Sequence, residues 1–182
     1  MRDTEHLRTV IENAYLERMR ERDKMNSRHN PYGRPGNTPR TIIVHAMGEH
    51  IMMDDGKTFE HAPDFLERMK LSVHALIAPD GTIIRCRDDS ETAYHAQGYN
   101  TNSLGMEMLV AGRHDYGSFV RTIAEKYLTD AQYEAAVKQC REWVSLHKIE
   151  RIVRHSDVSP GRKLDPGAGF PFDKFLADVR KT

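Results

Sequence analysis

No run in this sequence approaches the length of a membrane span, which takes about 20 apolar residues. The opening stretch MRDTEHLRTV also lacks the apolar core of a secretion signal. The expectation is a chain made in the cytoplasm, with no membrane insertion. An excess of charge of one sign is missing too. Lys+Arg and Asp+Glu number 27 each, so the formal net charge is zero. A nucleic-acid partner usually leaves a basic excess, and none is expected here. Cysteine is scarce. Cys86 and Cys140 are far apart and form no CxxC pair, which argues against a disulfide framework and fits a reducing compartment. Internal repeats and low-complexity tracts are absent.

What is present suits one domain with its own core: 182 residues, 38% of them hydrophobic. Asp3 to Met25 is helical in pattern, with Leu7, Val10, Ile11, Ala14 and Tyr15 on one face. Ser27 to Arg40, SRHNPYGRPGNTPR, holds three prolines and two glycines and reads as a connector. The division expected is therefore 1–40, an N-terminal helix and connector, and 41–182, the main domain.

Within that domain TIIVHAM and SLGMEMLVAG are strand candidates, and APDFLERMK is a short helix. LSVHALIA, PDG and TIIRCR read as a hairpin with Pro-Asp-Gly at the turn. TDAQYEAAVKQCREWVSLHK is the clearest helix. Thr129 and Gln132 have capping-box spacing, and Tyr133, Ala136, Val137, Cys140, Trp143 and Val144 form its apolar stripe. RIVRH is a last short strand and FPFDKFLADVRK a closing helix. The fold class is α/β, a central mixed β-sheet flanked by helices, with an extra N-terminal helix.

Three strand candidates carry a polar residue in an apolar setting. His45 ends TIIV, Glu107 interrupts GMEMLV, and His155 ends RIVRH. A buried carboxylate costs several kcal/mol without a partner, so the pattern needs a cause. Catalytic zinc, held by three protein ligands, supplies one. Two imidazoles at strand ends make rigid donors, and the loop HSDVSPGRKLDPG offers the third. On chemistry alone that third ligand is Asp157 or Asp165.

The chain from about Thr41 to Val179 also resembles a known family. IIVHAM, SVHALIAPDGTI, AYHAQGYNTNSLGMEMLVAG, LTDAQYEAAV and IVRHSDVSPGRKLDPG occur in the order seen in the zinc-dependent N-acetylmuramoyl-L-alanine amidases. That superfamily includes phage lysozyme-amidases, cytosolic amidases that recycle anhydromuropeptides, and peptidoglycan recognition proteins. The resemblance implies one Zn2+ per chain, bound by His45, His155 and Asp165, and it leaves Asp157 as a turn residue. It implies that Lys163 stabilises the oxyanion and that Glu107 is the general base. Val73 stands where phage-type members carry a tyrosine, so a tyrosine-based route is not available. His95 matches a histidine near the cleft and is expected to touch substrate. His74 is expected to be structural, and Asn100 and Asn102 to fix turns.

The activity implied is hydrolysis of the amide between N-acetylmuramic acid and L-alanine, with peptidoglycan or a muropeptide as partner and the chain a monomer. AYHAQGYNTNSLG resembles the phage enzymes and points to an endolysin, which a membrane pore would release to the wall. Asp165 and Glu107 resemble the recycling amidases, the alternative. A binding protein without catalysis is the remaining possibility, disfavoured because every ligand position holds a competent donor.

Overall fold

A computed structural model describes residues 36–181. The helix expected over Asp3 to Met25 lies outside the described residues. The last part of the connector lies within them and is tied to the core: the Thr38 and Arg40 amides donate to the Thr101 and Asn102 carbonyls, both at 3.0 Å.

The β-branched run after Thr41 opens a twelve-residue strand, β1 (Thr41–Met52). Ile42, Ile43 and Val44 are all fully buried, as expected of a central strand covered on both faces. β1 pairs in parallel with β5 (Ser103–His114), from Thr41 opposite Ser103 to Gly48 opposite Val110, and the register shifts between Gly48 and His50. Its other edge is shared. β6 (Arg151–Arg154) runs parallel along Thr41 to Val44, and β2 (Phe59–His61) runs antiparallel along His50 to Met52. Beyond β5 lie β3 (Ala75–Ile77), parallel to it, and β4 (Ile83–Arg85), antiparallel to β3. The six strands form one mixed sheet. The expected hairpin is present but short, with Asp80 Oδ1 accepting from the Thr82 amide at 2.9 Å in its turn.

Strand alternation gives the sheet two different faces. Ile42, Val44, Ala46, Leu104, Met106 and Met108 pack against two helices, α3 (Asp130–Leu146) and α5 (Phe172–Arg180), through residues such as Ala136, Cys140, Trp143 and Phe175. The opposite face packs Val73, Leu76, Ile84 and Leu109 against Ala62 and Leu66 of α1 (Ala62–Arg68). His45 and Glu107, offset by one residue from Val44 and Met106, belong to this second face. Among the described residues there are two further helices, α2 (Tyr116–Ile123) and the single turn α4 (His155–Val158).

Several sequence expectations change in detail. The first strand does not end at His45 but continues to Met52. RIVRH ends as a strand at Arg154, and His155 opens α4, so one helical turn forms in a loop too rich in Pro and Gly to suggest it. Thr129 caps α3 by accepting from the Gln132 amide at 3.0 Å. The Gln132 side chain does not complete the box. Its amide instead donates to the Ile77 and Leu109 carbonyls at 2.8 and 2.9 Å, fastening α3 to the sheet. Val144 is exposed, and Ala135 takes its place on the buried face. Neither α2 nor β2 was anticipated. α2 is capped by Asp115, whose side chain accepts from the Ser118 amide.

Candidate active site

Parallel pairing sets His45 of β1 opposite Glu107 of β5, and Glu107 opposite Leu76 of β3. β6 runs beside β1 to Arg154, so His155 leaves the sheet next to His45. The loop then turns back. Asp157 accepts from the Arg154 amide at 2.9 Å and pairs with the Arg154 guanidinium, so at the exposed surface it caps the single turn α4 rather than a loop turn. The Ser156 amide donates to the Asp165 carbonyl at 3.0 Å and closes the return.

The next segment is held by the unanticipated α2. The Gly169 amide donates to the Ile123 carbonyl at 2.8 Å. A Cβ at Gly167 would lie 2.2 Å from the Ile123 oxygen, and one at Gly169 would lie 1.6 Å from the Glu125 oxygen. Only glycine lets this backbone lie against the end of α2. Tyr127 Oη donates to the Pro166 carbonyl at 3.0 Å from the same side.

Three side chains converge as a result. His45 Nδ1 and His155 Nδ1 are 2.9 Å apart. Asp165 Oδ2 lies 2.8 Å from His155 Nδ1 and 3.5 Å from His45 Nδ1. All three residues are buried. Among the described residues they form the one group of His, Cys, Asp or Glu donors close enough to hold a metal ion, their ligand atoms lying within 4.8 Å of one another. The protonation states suit that role. Burial, helped by the neighbouring His155, takes the His45 imidazole down to about 4, so its lone pair is free at neutral pH. Burial alone would raise the Asp165 carboxyl, but the adjacent His155 and His45 imidazoles outweigh it and hold the group well below the ordinary carboxylate range. Two imidazoles and one carboxylate are a donor set found in catalytic zinc sites.

Glu107 stands beside the cluster, its Oε1 3.9 Å from His45 Nδ1. Its Oε2 is buried without a hydrogen-bond partner. Burial first, and the Asp165 charge second, push this carboxyl well above the ordinary glutamate value, while Lys163 opposes them. A buried oxygen with no protein partner beside a donor cluster is placed to bind a water or a substrate group. His95, Glu107, Lys163 and Asp165 line one cleft together with an apolar wall that includes Met47 and Val73.

Other expected residues also find places. His74 is fully buried and structural in its contacts. Its Nδ1 accepts from the Gly105 amide, and its Nε2 donates to the Glu91 carbonyl, both at 3.0 Å. Asn100 fixes a turn, its Oδ1 accepting from the His95 and Ala96 amides. Besides these, Arg162, which carries no expectation from the sequence, lines the cleft and donates to Ser159 Oγ at 3.0 Å. The exposed apolar rim formed by Leu71, Tyr116 and Leu164 was not foreseen. Leu164, set between Lys163 and Asp165, was its one legible signal.

Comparison with known proteins identifies the family of this chain. A family model described as N-acetylmuramoyl-L-alanine amidase matches residues 35–168. The 1,6-anhydro-N-acetylmuramyl-L-alanine amidase AmpD of Haemophilus influenzae is 32% identical over 129 residues, covering 65% of this chain and 65% of that protein. The chain thus spans just under two-thirds of that relative's length. The endolysin of Enterobacteria phage T3 is 30% identical over 92 residues, 50% of this chain and 57% of its own. Among solved structures, N-acetylmuramoyl-L-alanine amidase LysC from Clostridium intestinale URNW superposes with a TM-score of 0.62 at 21% identity, covering 82% of this chain and 91% of that one. At that identity the likeness speaks for the fold.

Proposed function

The chain belongs to the N-acetylmuramoyl-L-alanine amidase family, and from that premise we propose that it is a zinc-dependent hydrolase of the amide joining N-acetylmuramic acid to the L-alanine of a stem peptide. The observation that carries this reading is the convergence of His45, His155 and Asp165 beside Glu107, whose buried Oε2 has no protein partner. The catalytic unit is taken as residues 41–182, with 1–40 an appendage to it.

Zinc held by the three donors would supply Lewis acidity to the scissile carbonyl and to a water molecule. Glu107 takes the proton of the attacking water and returns it to the leaving amine of L-alanine. Its raised proton affinity suits the first transfer, and its place at the cleft wall suits the second. Lys163 sets a cation at the cleft wall, where negative charge develops on the carbonyl oxygen. The apolar wall limits water around the reacting groups, which strengthens both electrostatic effects.

Two settings suit this chemistry. The likeness of AYHAQGYNTNSLG to phage enzymes supports an endolysin acting on the wall. Asp165, Glu107 and the longer match to the 1,6-anhydro amidase support recycling of soluble muropeptides. The test is to incubate the purified protein with intact sacculi and, separately, with soluble anhydromuropeptides. Release of L-alanine-terminated stem peptide, abolished by chelation, is expected. Preference for sacculi selects the endolysin, and preference for the soluble substrate selects recycling. No release from either would overturn the proposal.

A further inference from the structure

His95 touches more than the cleft. Its Nδ1 lies 2.9 Å from His45 Nε2, and its Nε2 lies 3.1 Å from Ser103 Oγ. Ser103 Oγ in turn lies 2.7 Å from the Tyr99 carbonyl oxygen. We propose that His95 and Ser103 are positioning residues that lock His45 in the Nε2-protonated tautomer, so that its Nδ1 lone pair always faces His155 and Asp165. This rests on the metal-site reading above and assigns His95 a role distinct from contact with substrate.

The direction of the chain follows from its last member. A carbonyl can only accept, and two oxygens 2.7 Å apart need a proton between them. The single Ser103 hydroxyl proton is therefore directed at Tyr99. Ser103 Oγ then accepts from His95, which places the His95 proton on Nε2. The remaining nitrogen, Nδ1, holds a lone pair and accepts from His45 Nε2. With one proton per imidazole, His45 Nδ1 is left bare. Reversing the chain would require a backbone carbonyl to donate.

The surrounding structure is built to hold the His95 ring. Gly105, two residues before Glu107 on β5, faces it. A Cβ at that position would lie 2.6 Å from His95 Nδ1 and 2.7 Å from Cγ. Gly105 does not adopt a positive φ, so backbone conformation gives no reason for glycine there, whereas the ring does. Asn100 fixes the backbone at His95 and Ala96 through its Oδ1. Ser103 is fully buried, so water does not compete at the far end. Partners of this kind orient metal-ligating histidines, and losing one typically costs about 10- to 100-fold in metal affinity.

The experiment reads two quantities in the full chain. Nitrogen NMR of the histidine rings in metal-free protein reports the His45 tautomer, and competition with a chromophoric chelator reports zinc affinity. Wild type should show His45 protonated at Nε2. His95→Leu should mix the tautomers and weaken zinc binding about 10- to 100-fold. His95→Asn keeps an acceptor oxygen near the Nδ1 position and should recover most of that loss. Ser103→Ala, a milder change should the leucine variant misfold, should mix the tautomers in the same direction. An unchanged His45 tautomer in His95→Leu or Ser103→Ala, or leucine and asparagine variants equally weak for zinc, overturns the proposal. A wild-type chain that binds no zinc sinks the metal reading instead, and the tautomer measurement still decides the role of His95.

Discussion

His45 and Glu107 stand in register on adjacent parallel strands, with His45 Nδ1 3.9 Å from Glu107 Oε1. Sheet pairing thus sets the proposed proton carrier beside a proposed metal donor on one face of one sheet. Loops add His155 and Asp165 to a pair that strand geometry has already fixed.

Glu107→Gln tests the division of labour. The amide keeps the shape of the side chain but cannot take a proton. Zinc content should stay at the wild-type level while turnover of muropeptide falls by roughly 10²- to 10⁴-fold. Unchanged turnover would remove Glu107 as the proton carrier.

Gly169→Ala tests how Asp165 is held. A Cβ there meets the Glu125 carbonyl at 1.6 Å, so the backbone after Asp165 must move away from α2. The variant should lose about 1–3 kcal/mol in denaturant unfolding and bind zinc more weakly than wild type. Wild-type stability and affinity would show that α2 does not position this segment.

Asp89 gives a pH dependence remote from the site. It accepts from Trp143 Nε1 at 3.0 Å and from His147 Nε2 at 2.8 Å, and it pairs with Arg85. Burial would raise this carboxyl, but the His147 hydrogen bond and the Arg85 charge outweigh it and leave the group below its ordinary value. A depressed folded-state value means the stabilisation is present above the unfolded carboxylate range, about 4, and is lost as pH falls through the folded value. Asp89→Asn should therefore be less stable than wild type at pH 7 by about 1–3 kcal/mol. The gap should close toward pH 3, followed by the fluorescence of Trp143, the single tryptophan. A gap that persists at low pH would show that the carboxylate charge is not its source.

Much of this architecture was legible in residue order. Apolar runs marked the cores of β1 and β5, and Pro-Asp-Gly marked the hairpin. Three polar residues in apolar settings marked the site before its geometry was known. The choice of Asp165 over Asp157 was not open to residue chemistry alone, since both are aspartates on one loop. It came from family resemblance and agrees with the fold, where Asp157 pairs with Arg154 and Asp165 meets the histidines. α2 was legible in principle, since Tyr116, Phe119, Val120 and Ile123 recur at helical spacing, but the segment is only eight residues long and buries only Ile123 fully. The Gln132 side chain was misassigned because spacing shows that a residue can cap its helix, and not that strand carbonyls compete for it. Gly105 was equally silent, since its reason is a ring ten residues earlier in the sequence that only the folded sheet brings against it.

The most direct measurement is zinc content per chain, by elemental analysis, for wild type, Asp165→Ala and Asp157→Ala. About one zinc is expected in wild type and in Asp157→Ala, and close to none in Asp165→Ala after dialysis against chelator-treated buffer. Zinc retained in Asp165→Ala, or lost in Asp157→Ala, would contradict the site as assigned.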